Sequence, residues 1–149
     1  MMKLFDKKLI NYTDQLVSDW QTGVHLGSQL LINHGYVTPD FPEKVIKITN
    51  ELGPYYVIAP QLALLHINVD PAILKTGISF TYFKNPIIFK DEPKYYVNFC
   101  LALAAVDGDS HMGLLQAVAT LFTNQQFLQD LKNCSSQKEL VKIIKKYDK

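Results

Sequence analysis

Two histidines carry the chemistry that can be read in this chain. His66 closes the apolar run GPYYVIAPQLALLH (Gly53 to His66), and His111 closes the polar turn DGDSH (Asp107 to His111). Each follows a segment with the composition of a buried strand, and residues at strand ends are frequent carriers of sites. A helix capped by Asp109 or Ser110 would place His111 in its first turn. Unpaired backbone N–H groups and the positive end of the helix dipole would favour an anion there. The combination predicts a phosphoryl site. One histidine would be the nucleophile and the other a hydrogen-bond partner. The helix start, with Ser110, would offset phosphate charge. Neutral imidazole suits the role because it is abundant near pH 7. Taken singly, each residue has a plainer account: a hydrogen-bonded histidine at the rim of the core, and turn-and-cap chemistry in DGDS.

Competing chemistries fit less well. Zinc would need a third ligand from Asp70, Asp107 or Asp109, and the sequence has no short-spaced His/Cys pair, so no metal is expected. Cys100 sits inside the apolar run VNFCLALAAV, the setting of a small buried hydrophobe rather than a reactive thiolate. None of the seven glycines forms a GxGxxG or Walker pattern. A net charge of +1 lacks the electrostatic footprint of a nucleic-acid binder. Two cysteines cannot make a disulfide framework, and no stretch approaches the roughly 20 apolar residues that span a bilayer. MMKLFDKKLI is too polar for a signal peptide. Residues 1–149 are therefore expected to form one cytoplasmic domain with no direct membrane insertion.

The elements that must position the histidines follow from periodicity. Residues 1 to 18 read as an irregular or helical lead-in. Trp20, Val24, Gly27, Leu30 and Leu31 mark one face of a helix, with Ser18 and Gln21 as a capping box and Gly35 just past its end. Thr38 and Pro39 signal a second helix that Gly53-Pro54 stops. Tyr55 to Ala59 reads as a buried strand ended by Pro60, and Leu62 to Leu65 leads to His66. Lys75 to Phe83 reads as a strand with one wet side, Asn85-Pro86 as a turn, Ile87 to Phe89 as a short strand, and Val97 to Val106 as a central strand buried on both faces. A helix buries Met112, Leu115, Val118, Ala119 and Phe122. Thr123 and Ser136 open two more. This order predicts a layered α/β domain with a mixed sheet covered on both faces.

GPYYVIAP-x-LAL-x-H, KTG at 75–77 and LAAVDGDSH at 103–111 together resemble the enzyme IIA domain of the phosphoenolpyruvate-dependent sugar phosphotransferase system. The resemblance is to the mannitol/fructose-type branch, nearest its ascorbate-specific members, and runs from the Trp20 helix to the C-terminal helix. It implies a three-layer α/β/α sandwich that takes a phosphoryl group from HPr and passes it to a cysteine of enzyme IIB. IIB then phosphorylates a sugar entering through the membrane component IIC. No cofactor is implied. His66 falls on the phosphorylated histidine and His111 on the second active-site histidine. The chain departs from the family pattern at Leu65, where proline is usual, and at Asn68 and Asn50, where one branch or the other carries arginine. It departs again at Gln61, where glycine is usual and a side chain is expected close to the site. Asn50 and Asn68 remain candidate phosphoryl contacts. Lys75 would replace the missing cation or be a strand-end surface lysine. The alternative reading is an enzyme IIA-like interaction or regulatory module with little or no transfer. Partner docking is expected on an apolar patch that includes Leu65 and Ile67.

Overall fold

The computed structural model describes residues 3–149. Five strands form one mixed sheet in the order β1-β4-β5-β3-β2. They are β1 (Ile10–Thr13), β2 (Val57–Ala59), β3 (Leu62–Leu65), β4 (Gly77–Ile88) and β5 (Tyr96–Ala104). β1 runs parallel to β4 and β3 parallel to β5, while the β4–β5 and β2–β3 pairs are antiparallel. Helices α1 (Trp20–Asn33) and α2 (Phe41–Leu52) cover one face. Helices α3 (Gly108–Phe122), α4 (Gln125–Lys132) and α5 (Gln137–Tyr147) cover the other. This is the expected α/β sandwich around a mixed sheet. None of the described helices is long and apolar enough to cross a membrane.

Alternation along the strands divides the core. Ala63 and Leu65 of β3 pack with Val24, Leu31, Phe41 and Val45 under α1 and α2. Leu62 and Leu64 pack with Val118, Phe127, Leu131, Leu140 and Ile144 under α3, α4 and α5. The two-residue period of the strand thus feeds two separate cores. Helix α1 lies close to the sheet because Gly27 has no side chain. A Cβ there would come within 2.7 Å of the Cys100 sulfur. Cys100 is fully buried, as its apolar run predicts, and burial pushes its thiol up to about 12. At the far side of the molecule, buried Asp148 clasps the other end of the described chain. Its carboxylate accepts from the Leu4 and Phe5 amides at 2.8 Å.

Several local expectations are corrected. The lead-in contains β1, which pairs with β4 from Ile10↔Phe80 to Thr13↔Phe83, and four residues are too few to show a period. Asp19 rather than Ser18 caps α1, accepting from the Thr22 amide at 2.7 Å. Helix α2 starts at Phe41 after Asp40, so Pro42 rather than Pro39 fills its first turn. β2 is a short, partly exposed edge strand, and the fully buried strand is Leu62–Leu65. β4 is buried on both faces from Ile78 to Phe83, so it has no wet side there. It also runs through Asn85-Pro86 without a break. A register shift between Tyr82 and Ile87 absorbs the proline, the usual way a strand tolerates one. Asn124, not Thr123, caps α4, whereas Ser136 caps α5 as expected.

Candidate functional site

The parallel pairing of β3 with β5 brings the two histidines together. Register runs from Leu62↔Phe99 to Leu65↔Ala102, so both strands end at the same edge of the sheet. His66 is the first residue past β3. β5 continues two residues further, to Ala104, before the chain turns into α3 and presents His111 in its first turn. The imidazoles of His66 and His111 meet edge to face, with ring centroids 5.4 Å apart at 71°. The cap of α3 is Asp107 rather than Asp109 or Ser110. Its carboxylate accepts from the Ser110 amide at 2.7 Å, and these bonds hold its carboxyl below the usual range. The Asp107 carbonyl accepts from the His111 amide at 3.1 Å. A charged cap therefore already occupies part of the helix end that was expected to face an anion, and the Ser110 amide is spent on it.

The hydrogen bonding of His66 fixes its tautomer. Its Nδ1 lies 2.6 Å from the carbonyl oxygen of Leu64. A carbonyl only accepts, so Nδ1 carries the proton and Nε2 keeps a free lone pair. Burial lowers the His66 pKa below 6.5, the neighbouring His111 adds to that, and the bond to Leu64 acts the other way. The half-buried imidazole also packs edge to face against Tyr55 at 5.3 Å and 76°. The Tyr55 hydroxyl donates to the backbone carbonyl of His66, and burial raises its pKa to about 12.

The remaining candidates lie outside this pair. Lys75 is exposed, and its ammonium stands 4.8 Å from the ring centroid of Tyr36. The KTG segment does reach the site edge, since Thr76 Oγ1 accepts from the Val106 amide at 3.2 Å. Asn50 is exposed in the last turn of α2 and takes no part in the hydrogen bonds of either histidine among the described residues. Asn68, also exposed, lines a groove of about 320 Å³ with Lys44, Lys47, Ile67 and Asp70. Within it the Lys44 ammonium pairs with Asp70 at 3.4 Å. Gln61 is not close to the histidines. It forms the β2–β3 turn at the opposite end of β3, with φ at 69°, and its amide donates to Asn98 at 3.4 Å. Leu65 and Ile67 are buried and cannot form a docking patch. Exposed apolar residues are instead found at Tyr55, which packs on His66, and at Val69, Val106 and Met112, each within five residues of one of the histidines along the chain. Met112 was expected on the buried stripe of α3, where only Val118 is fully buried. Among the described residues no three His, Cys, Asp or Glu side chains cluster to hold a metal ion.

Tyr55 and the Leu64 carbonyl were missed from sequence. A signal for Tyr55 was present. With Pro60-Gln61 taken as a two-residue hairpin turn, Ala59 falls opposite Leu62 and position 55 falls beside the end of β3; a register shift between Val57 and Ala59 changes this by one residue, to Val57↔Ala63. The Leu64 carbonyl is a backbone group with no sequence signature.

Known proteins resemble this chain over most of its length. Residues 3–147 match the family model described as phosphoenolpyruvate-dependent sugar phosphotransferase system, EIIA 2. The chain is 33% identical over 128 residues to a mannitol-specific cryptic phosphotransferase enzyme IIA component of Escherichia coli (strain K12), covering 85% of each. It is 31% identical over 148 residues to an ascorbate-specific PTS system EIIA component of the same strain, covering 96% of each. The solution structure of a mannitol-specific cryptic phosphotransferase enzyme IIA from Escherichia coli superposes with a TM-score of 0.83 at 30% identity, covering 95% of both chains.

Proposed function

The chain belongs to the phosphoenolpyruvate-dependent sugar phosphotransferase system EIIA 2 family, which makes it an EIIA-type phosphotransferase component, and we propose that it carries its phosphoryl group on His66 Nε2. The observation that carries this reading is the bond from His66 Nδ1 to the Leu64 carbonyl, which leaves Nε2 as the unprotonated ring nitrogen beside His111. In the forward step, Nε2 attacks the phosphorus of phosphorylated HPr in line. A new N–P bond forms as the bond to the donor histidine breaks. In the onward step, a cysteine thiolate of enzyme IIB attacks the same phosphorus and His66 leaves as imidazole. The work of the fold is positioning and charge stabilisation. His111 would hydrogen-bond the transferring oxygens, a role its ring 5.4 Å from that of His66 supports.

Both partners would dock on the rim of exposed apolar side chains, Tyr55, Val69, Val106 and Met112, which excludes water around the transferring group. The test is incubation of the purified protein with phosphoenolpyruvate, enzyme I and HPr. Acid-labile phosphate is expected on the wild type and none on His66→Ala. Label that survives in His66→Ala, or fails to appear on the wild type, overturns the assignment; the second result would leave a binding module in its place.

A further inference from the structure

We infer that Tyr55 is the positioning residue of His66, holding it in the tautomer that exposes Nε2; the inference rests on His66 as phosphoryl carrier. β3 ends at Leu65, so the backbone of His66 lies beyond the strand. The bond from its ring to the Leu64 carbonyl spans two residues and survives only while the chain from 64 to 66 keeps one conformation. The Tyr55 hydroxyl supplies that constraint by donating to the His66 carbonyl. The Tyr55 ring supplies a second one. It packs against the imidazole at 5.3 Å, while the His111 ring lies 5.4 Å from it, and so limits how the ring can swing.

Tyr55 is itself firmly rooted. Its amide donates to the Gly53 carbonyl at 2.8 Å, and its ring packs at 5.0 Å against fully buried Tyr56. The Thr49 hydroxyl gives its proton to the Val45 carbonyl at 2.7 Å, so the Tyr56 hydroxyl must donate to Thr49, at 2.9 Å. This chain of contacts ties the position of His66 to helix α2, on the face of the sheet that α1 and α2 cover. The chemical consequence lies in the tautomer. Free imidazole in water favours the proton on Nε2, which would cover the lone pair that must attack phosphorus. A hydrogen bond at the other nitrogen reverses the preference.

The test uses two variants and two readouts. Nitrogen-15 NMR of the imidazoles reports the tautomer without any phosphotransfer, and steady-state phosphorylation by phosphorylated HPr separates kcat from KM. The wild type is expected to show His66 protonated at Nδ1. Tyr55→Phe keeps the ring and the docking surface but loses the tether. It should show a mixed tautomer, with kcat lowered about tenfold and KM for phosphorylated HPr unchanged, as a small misplacement of a nucleophile predicts. Tyr55→Leu, which also removes the ring packed against the imidazole, should in addition raise the His66 pKa towards 6.5. An unchanged tautomer in Tyr55→Phe overturns the inference, as does a rise in KM at constant kcat, which would make Tyr55 a docking residue only. Should the wild type take no phosphate, the functional reading fails while the tautomer of Tyr55→Phe still decides the role of Tyr55. Should Tyr55→Leu fail to fold, Tyr55→Phe alone decides it.

Discussion

At His66, burial and the nearby His111 both oppose the charged imidazole, and the bond to Leu64 only partly offsets them. The folded protein therefore keeps this ring neutral to lower pH than an exposed histidine, whose pKa is 6.5. Only the neutral ring has the lone pair. The phosphorylation rate should thus stay level from pH 8 down to 6.5 and fall below it, through the folded pKa; a rate already halved at pH 6.5 would contradict this. The same shift is linked to stability. The unfolded chain binds the proton first, so the contribution of His66 is fully present above pH 6.5 and is lost as pH falls through the folded value. At this scale much was legible, because a histidine announces its chemistry by type. The charges were less so. Lys75 could be placed at the right end of a strand, but not turned onto Tyr36, because a lysine side chain reaches several directions from one Cα.

The β2–β3 hairpin shows what sequence hides at the scale of elements. The run from Gly53 to His66 gave strand content and a break at Pro60, but not which half would be buried. The apolar character of Ile58 and Ala59 is spent on an exposed edge, while Leu62 to Leu65 takes the interior beside β5. Strand order is set by distant pairing, which no local window contains. The turn also gives a physical reason for the glycine that the family resemblance leads one to expect at position 61. A φ of 69° costs a side-chain residue about 1–2 kcal/mol, against about 0.5–1 kcal/mol of extra chain entropy for glycine. Gln61→Gly should therefore raise unfolding stability by about 0.5–1 kcal/mol in urea melts. Because Gln61 lies at the far end of β3 from His66, phosphorylation kinetics should not change. A slowed transfer would put Gln61 back at the site.

The molecule as a whole divides its two histidines between supports of different kinds. Layer order and the covered mixed sheet followed from the succession of helices, strands and helices, since each amphipathic element has few places to hide its apolar side. The quality of each contact did not follow. His66 is carried on a strand in which every side chain is buried. His111 is carried on α3, fifteen residues long with one fully buried side chain, Val118, and with Leu114, Leu115, Leu121 and Phe122 only partly covered. The support of His111 is therefore expected to open more readily than that of His66. Amide hydrogen exchange should show Gly108 to Leu115 opening well before Phe99 to Leu103 of β5, and phosphorylation of His66 should slow the former selectively. Equal protection in the two segments would count against it. Under the proposed function such an asymmetry would be of use: the attacking atom would keep its place through both encounters, and the neighbour that embraces the cargo would let go.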